Sequence, residues 1–199
     1  MWESVIALDR DATLALNGLG GNGALDSMMV FASHKLTWLP FYIALLIFLF
    51  YRLGWRRALV FLAAVGLTFL ACDQLSNLFK WGFERLRPSH DPYMLENGLR
   101  LLEKPGGLYG FFSAHAANTF GVAWCVIMAF RTDKNNDYRW LTAVMLCWAT
   151  WVSLSRVFVG KHFLGDVLVG IAIGTALGLA FGYLAQWCVK RFISRTNGR

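Results

Sequence analysis

Five long apolar stretches, parted by short polar blocks, constrain this 199-residue chain more than any other feature. Residues 36–51 carry no charge, 58–79 carry only Asp73, 111–130 hold no formal charge but include His115, 140–155 are uncharged, and 163–189 are interrupted only by Asp166. A bilayer's hydrocarbon core of about 30 Å calls for roughly 20 residues of helix. The first and fourth stretches have 16 residues each, short spans whose flanking cations, such as Lys35 and Arg52, can snorkel. A composition 57% hydrophobic and 16% charged is too apolar for an ordinary soluble fold. The expected fold is therefore all-α: one domain over residues 1–199, a polytopic membrane helix bundle of about five transmembrane helices.

The first 35 residues differ in kind. Charges at Glu3, Asp9, Arg10 and Asp11 alternate with apolar residues, and Gly18, Gly20, Gly21 and Gly23 break the run, so an interfacial helical segment is expected. It has no basic region followed by a cleavable apolar core, so it does not read as a signal peptide.

Five crossings put alternate connections on opposite sides, and the charges divide accordingly. One side collects Arg52, Arg56, Arg57, Arg131, Lys134, Arg139, Lys190, Arg191, Arg195 and Arg199 against Asp133 and Asp137, a net +8, whereas the rest of the chain sums to −1. The first side is expected to be cytoplasmic. The N-terminus, the segment 80–110 and the stretch around Gly160 then face the periplasm or cell exterior. The net charge of +7 is explained by topology and anion binding, with no nucleic-acid partner needed. Cys72, Cys125, Cys147 and Cys188 all fall in apolar segments and form no Cys-x-x-Cys pair, so buried packing is expected of them. Gly170, Gly174, Gly178 and Gly182 recur every fourth residue of the last helix, where internal packing is preferred to a dimer seam; oligomeric state stays open.

Three polar blocks stand at helix ends on the side assigned as external: residues 80–88, 112–115 and 155–166. Lys80, Arg87 and Arg156 repel one another unless an anion sits among them, and a phosphate fits, because arginine's planar fork offers paired donors to phosphoryl oxygens. Ser113 and His115 fall in a first helical turn, where free N–H groups also favour an anion. His162 and Asp166 are four residues apart, so on a helix they share a face. The carboxylate can then hold Nδ1–H and leave Nε2 to attack phosphorus. His115 can protonate the leaving oxygen and later activate water.

These blocks resemble the type 2 phosphatidic acid phosphatase superfamily, whose pattern is K-x6-RP, PSGH and SR-x5-H-x3-D. Lys80, Arg87 and Pro88 fill the first block, Ser113 and His115 the second, and Ser155, Arg156, His162 and Asp166 the third. The resemblance covers roughly residues 58–189. It implies an all-helical membrane lipid phosphatase with His162 as nucleophile, His115 as acid and base, and Asp166 as the orienting carboxylate. It also implies that Lys80, Arg87, Arg156 and Ser113 bind the phosphoryl oxygens without metal or other cofactor. Phe112 stands where the family has Pro and Ala114 where it has Gly, which leaves the loop geometry of that block open.

Undecaprenyl diphosphate is the leading expected substrate; lipid A phosphatase and phosphatidylglycerophosphate phosphatase are alternatives. A phosphate-binding module or transporter is the rival class, disfavoured by the intact His162 and Asp166 pair, and vanadate peroxidase chemistry is disfavoured by five membrane helices. Residues 88–110 should form an external loop, its Leu95, Leu99, Leu101 and Leu102 lying on the membrane surface. Asp73 reads as a site member or, preferably, as partner to a neighbouring donor. Arg85 with Glu84 is either a site element or an exposed interfacial pair, and Lys161 either steers anionic lipid or snorkels. His34 and His90 read as surface residues.

Overall fold

A computed structural model describes residues 2–193; Arg195 and Arg199, counted in the charge balance above, lie outside the described residues. Among the described residues eight α-helices follow one another: α1 (Trp2–Gly18), α2 (Gly23–Ser33), α3 (Leu39–Leu53), α4 (Trp55–Phe83), α5 (Pro92–Glu96), α6 (Ala114–Phe130), α7 (Arg139–Phe158) and α8 (Leu164–Cys188). Among the described residues the only strand-like pairing is an isolated bridge between Leu86 and Tyr109. Four helical stretches are long and apolar enough to cross a membrane, Lys35–Leu53, Trp55–Phe83, Arg139–Phe158 and Leu164–Ile193, and Ala114–Phe130 is a shorter apolar helix among them.

Local sequence explains the ends. Pro40 opens α3, where its missing N–H costs nothing. Gly54, at φ 73°, reverses the chain into α4. Glu84 closes α4 in the left-handed region, and the chain leaves extended through Arg85 and Arg87. At the opposite end of the bundle Tyr138 accepts from Arg52 Nε (2.9 Å) and donates to Asp133 (2.6 Å), which ties the α6–α7 turn to the end of α3.

The main apolar core surrounds α6, with buried residues of α3, α4, α7 and the end of α8 packed on it, and α6 meets α8 along a face of glycines. Gly170, Gly174, Gly178 and Gly182 are buried, so the glycine stripe packs inside the molecule. A Cβ on Gly174 would lie 2.1 Å from the Ala117 carbonyl oxygen, which shows how near the two backbones run. By contrast α3 buries little of itself, and Ile43, Leu46 and Ile47 are exposed along it. The cysteines divide: Cys72 and Cys125 are buried as expected, but Cys147 is exposed and Cys188 only half-buried. Both of these lie on outward faces of α7 and α8, which an apolar membrane helix can also fill with soft side chains.

The N-terminal segment is helical, but it docks on protein rather than merely lying along an interface. Thr13 and Asn17 of α1 are fully buried against the ends of α7 and α8. Asn17 Nδ2 donates to the carbonyls of Phe158 (2.8 Å), Arg100 (3.0 Å) and Val157 (3.3 Å). The segment after α4 folds back between these elements: Asp91 caps α5 through Tyr93 N–H and receives Arg10 at 2.7 Å. In that segment Leu95 and Leu101 are exposed, whereas Leu99 and Leu102 are partly covered by protein.

Candidate active site

Five of the seven residues singled out from sequence line one cavity of about 640 Å³: Lys80, Arg87, His115, Arg156 and His162. Ser113 and Asp166 stand just behind its wall, both fully buried, and Ser113 N–H donates to the Asp166 carbonyl (3.0 Å), which joins the starts of α6 and α8. Below the polar end the cavity runs between α3, α4, α6 and α7, along Leu45, Leu49, Leu62, Val65, Val126 and Trp148.

His162 is not on a helix with Asp166, as the four-residue spacing implied; it lies in the turn before α8, whose first residue is Leu164. The contact survives because Asp166 curls back on the turn: Oδ2 accepts from Phe163 N–H at 3.2 Å and lies 3.4 Å from His162 Nδ1. Gly160, at φ 77°, makes the turn possible, and a Cβ there would also meet the Arg100 carbonyl at 2.8 Å. Arg87 Nη1 stands 3.3 Å from His162 Nε2. A guanidinium only donates, so Nε2 is the unprotonated nitrogen and Nδ1–H faces Asp166. Burial first, then the charges of Arg87, Arg156 and Lys80, hold the His162 imidazole well below its ordinary pKa, so it is neutral at physiological pH.

The cations are held by backbone and hydroxyl groups, with donors to spare. Arg87 Nε donates to the Tyr109 carbonyl (3.1 Å) and Nη1 to the Lys161 carbonyl (3.3 Å). Arg156 is 4% exposed and bonds the Ser33 hydroxyl and carbonyl through Nη1, yet its Nε has no partner. The Ser113 hydroxyl is buried without a partner as well. An orphaned buried donor costs about 1–3 kcal/mol, more beside a charge, so an incoming anion gains what these groups lack. The Phe112 and Ala114 replacements leave α6 beginning at Ala114 with Ser113 at its N-cap. Phe112 is itself fully buried, and its carbonyl accepts from Ser76 (3.1 Å).

Arg85 and Asp9 were not assigned to the site from sequence, and the structure places both there. Arg85 is no exposed interfacial pair with Glu84: Nη1 reaches Asp166 Oδ1 (2.7 Å), Nη2 reaches Asp9 Oδ2 (2.6 Å), and the guanidinium lies 4.3 Å from the centre of the Phe163 ring. Asp9 also accepts from Gly165 N–H (2.7 Å), and Thr13 accepts from Leu164 N–H (3.0 Å). Helix α1 thus caps the first turn of α8, a task that the Phe163 side chain at the N-cap has no oxygen to perform. Two patterns carried this signal: Arg85 and Arg87 share a face of an extended segment, and Asp9, Thr13 and Asn17 share a face of α1. Lys161 pairs with Glu103 of the segment between α5 and α6. Asp73 receives a hydrogen bond from Asn118 (2.8 Å), the neighbouring donor expected of it.

Residues 57–190 match the PAP2 superfamily. The chain belongs to that superfamily. With these spans and the relatives that follow, it is a multi-pass membrane lipid phosphatase. A lipid A 4'-phosphatase of Porphyromonas gingivalis is 36% identical over 177 residues, covering 88% of this chain and 72% of the relative. A lipid A 4'-phosphatase of Bacteroides thetaiotaomicron is 34% identical over 203 residues, covering 98% of this chain and 85% of the relative. In fold this PAP2 protein is similar to a transmembrane phosphatidylglycerolphosphate phosphatase of Bacillus subtilis, with TM-score 0.72 and 21% identity over 95% of this chain and 89% of that one. It is also similar to Aquifex aeolicus LpxE, with TM-score 0.62 and 22% identity over 86% and 92% of the two chains.

Proposed function

We propose that this protein is a lipid A 4'-phosphatase: it hydrolyses the phosphate monoester on an acylated glucosamine by way of a phosphohistidine. The observation that carries the substrate is the pair of lipid A 4'-phosphatases at 36% and 34% identity, both covered over most of their length. These relatives support this alternative better than the undecaprenyl diphosphate expectation, which gives way to it. The cavity agrees, since its polar end accepts a phosphorylated headgroup and its apolar length, opening beside the sparsely packed α3, accommodates acyl chains.

In this reading Arg87, Arg156, Lys80 and the Ser113 hydroxyl hold the phosphoryl oxygens. His162 Nε2 attacks phosphorus as the bond to the sugar oxygen breaks, and Asp166 stabilises the imidazolium that develops. His115 gives the leaving oxygen its proton, then takes one from the water that releases phosphate from His162. Arg85 and Asp9 position Asp166.

Purified protein in detergent, offered lipid A 1,4'-bisphosphate, undecaprenyl diphosphate and phosphatidylglycerophosphate, is expected to act fastest on lipid A. Mass spectrometry should show loss of the 4'-phosphate alone, and release should persist in EDTA because every phosphate ligand named is a protein side chain. Faster turnover of either other lipid, or complete loss in EDTA restored by a divalent ion, overturns the reading.

The charge balance supports a cytoplasmic-membrane protein with this site on the periplasmic side. In a cysteine-free background, a membrane-impermeant thiol reagent is expected to label Asn97→Cys in intact cells and to spare Asn135→Cys. The reverse pattern refutes the orientation.

A further inference from the structure

Asp73 stands within the apolar length of α4, where a carboxylate is costly unless it is paired or serves a ligand. Among the described residues it has no ion pair, and its hydrogen bond comes from Asn118 Nδ2 to Oδ1. That bond bridges α4 to α6, yet two neutral amides would do as much. The charge of Asp73 also acts on Lys80, two turns along the same helix face; what remains unexplained is the second oxygen Oδ2, which no described residue satisfies, and Asn118 Oδ1, which is buried without a partner.

Both residues line the cavity with Asn77, and their place in it is specific. Asp73, Asn77 and Lys80 share one face of α4. Asn118 follows His115 by three residues on α6, about 4.5 Å further into the bundle. The open acceptors therefore lie one turn beneath the cations, where the alcohol half of a bound phosphate ester must pass. Still deeper the walls are mainly apolar, Leu45, Leu62, Val65 and Val126, and the polar atom there with no partner, Trp148 Nε1, is a donor and no acceptor.

We propose that Asp73 Oδ2 and Asn118 Oδ1 form a headgroup subsite that accepts hydrogen bonds from hydroxyl or amide N–H donors of the substrate's sugar, and so selects an acylated glucosamine phosphate over a prenyl phosphate. A prenyl phosphate has no donor at that depth, and there it leaves a carboxylate facing hydrocarbon. A glucosamine brings donors within one ring of its phosphate. The subsite rests on the function proposed above and adds to it the group by which the substrate is told apart.

The test uses the full chain in detergent, with Asp73→Asn, which keeps shape but turns an acceptor into a donor, and Asn118→Ala. For each, kcat/KM is measured on an acylated glucosamine 4-phosphate and on farnesyl phosphate, and the thermal unfolding midpoint serves as a check of folding. With the midpoint unchanged, kcat/KM on the glucosamine phosphate is expected to fall about 10- to 100-fold. Farnesyl phosphate turnover should fall far less, so the ratio between substrates drops by about tenfold or more. An equal fall on both, or no fall on the sugar, overturns the subsite and leaves the phosphatase reading intact. A parent protein that cleaves farnesyl phosphate and not the glucosamine phosphate overturns the subsite and the lipid A reading together.

Discussion

His162→Ala is expected to release no phosphate and to trap no phosphoenzyme, because it deletes the atom that bonds to phosphorus. His115→Ala keeps the nucleophile and loses the group that serves the leaving oxygen and the water, so both half-reactions should slow by about 10²- to 10⁴-fold. The two are distinguished with an activated leaving group that needs little protonation. Phosphorylation should then recover in His115→Ala more than hydrolysis does. Acid-quenched rapid mixing should show phosphohistidine accumulating in that variant and absent from His162→Ala. Phosphoenzyme in His162→Ala, absent from His115→Ala, reverses the assignment, and unimpaired turnover in both excludes a phosphohistidine route.

Arg85→Ala should also be damaging, although Arg85 is not among the residues that line the cavity. Its guanidinium bridges Asp166 and Asp9, and Asp166 is fully buried with, among the described residues, only Phe163 N–H and His162 as other partners of its side chain. Stripping one partner from a buried charge costs about 3–5 kcal/mol when both partners are buried. The Arg85 side chain is 27% exposed, so water recovers part of this. A fall in kcat of about 10²-fold with little change in KM is expected. Arg85→Lys should not rescue it, because a single ammonium lacks the fork that spans two carboxylates. Asp9→Asn should show the same kcat-selective loss in milder form, since an amide oxygen can still accept from Gly165 N–H. An effect confined to KM would place Arg85 on the substrate instead.

These residues mark where the sequence stops being legible. The spans could be read because hydrocarbon demands length and apolarity, which a linear chain displays directly. Lys80, Arg87 and Arg156 could be read because like charges at helix ends on one side of a membrane call for a common anion, and His115 and His162 because they stand in the same polar blocks. Arg85 could not be placed so easily, since its partners Asp9 and Asp166 lie 76 and 81 residues away, and no period connects an extended segment to a surface helix. The polar stripe of Asp9, Thr13 and Asn17 was visible, but α1 looked interfacial until the uncapped start of α8 gave those side chains a task. The His162 and Asp166 pairing was right in outcome and wrong in geometry, since a spacing of four serves a capping turn as well as a helix face.

The interlocked glycine face of α8 bears on how the surrounding bilayer can influence this protein. His115 lies in the first turn of α6 and His162 two residues before α8, and those two helices approach to backbone contact along Gly170, Gly174 and Gly178. A thicker or thinner bilayer makes helices tilt. Two helices meshed so closely tilt as one body, and both histidines travel with them, keeping their separation. Helix α3 has no such mesh and, pinned at one end through Arg52 and Tyr138, can pivot there, narrowing or widening the apolar cavity that its other turns line. Lipid thickness should thus regulate how often a substrate arrives, while the rate of phosphoryl transfer, once one is seated, stays indifferent to it.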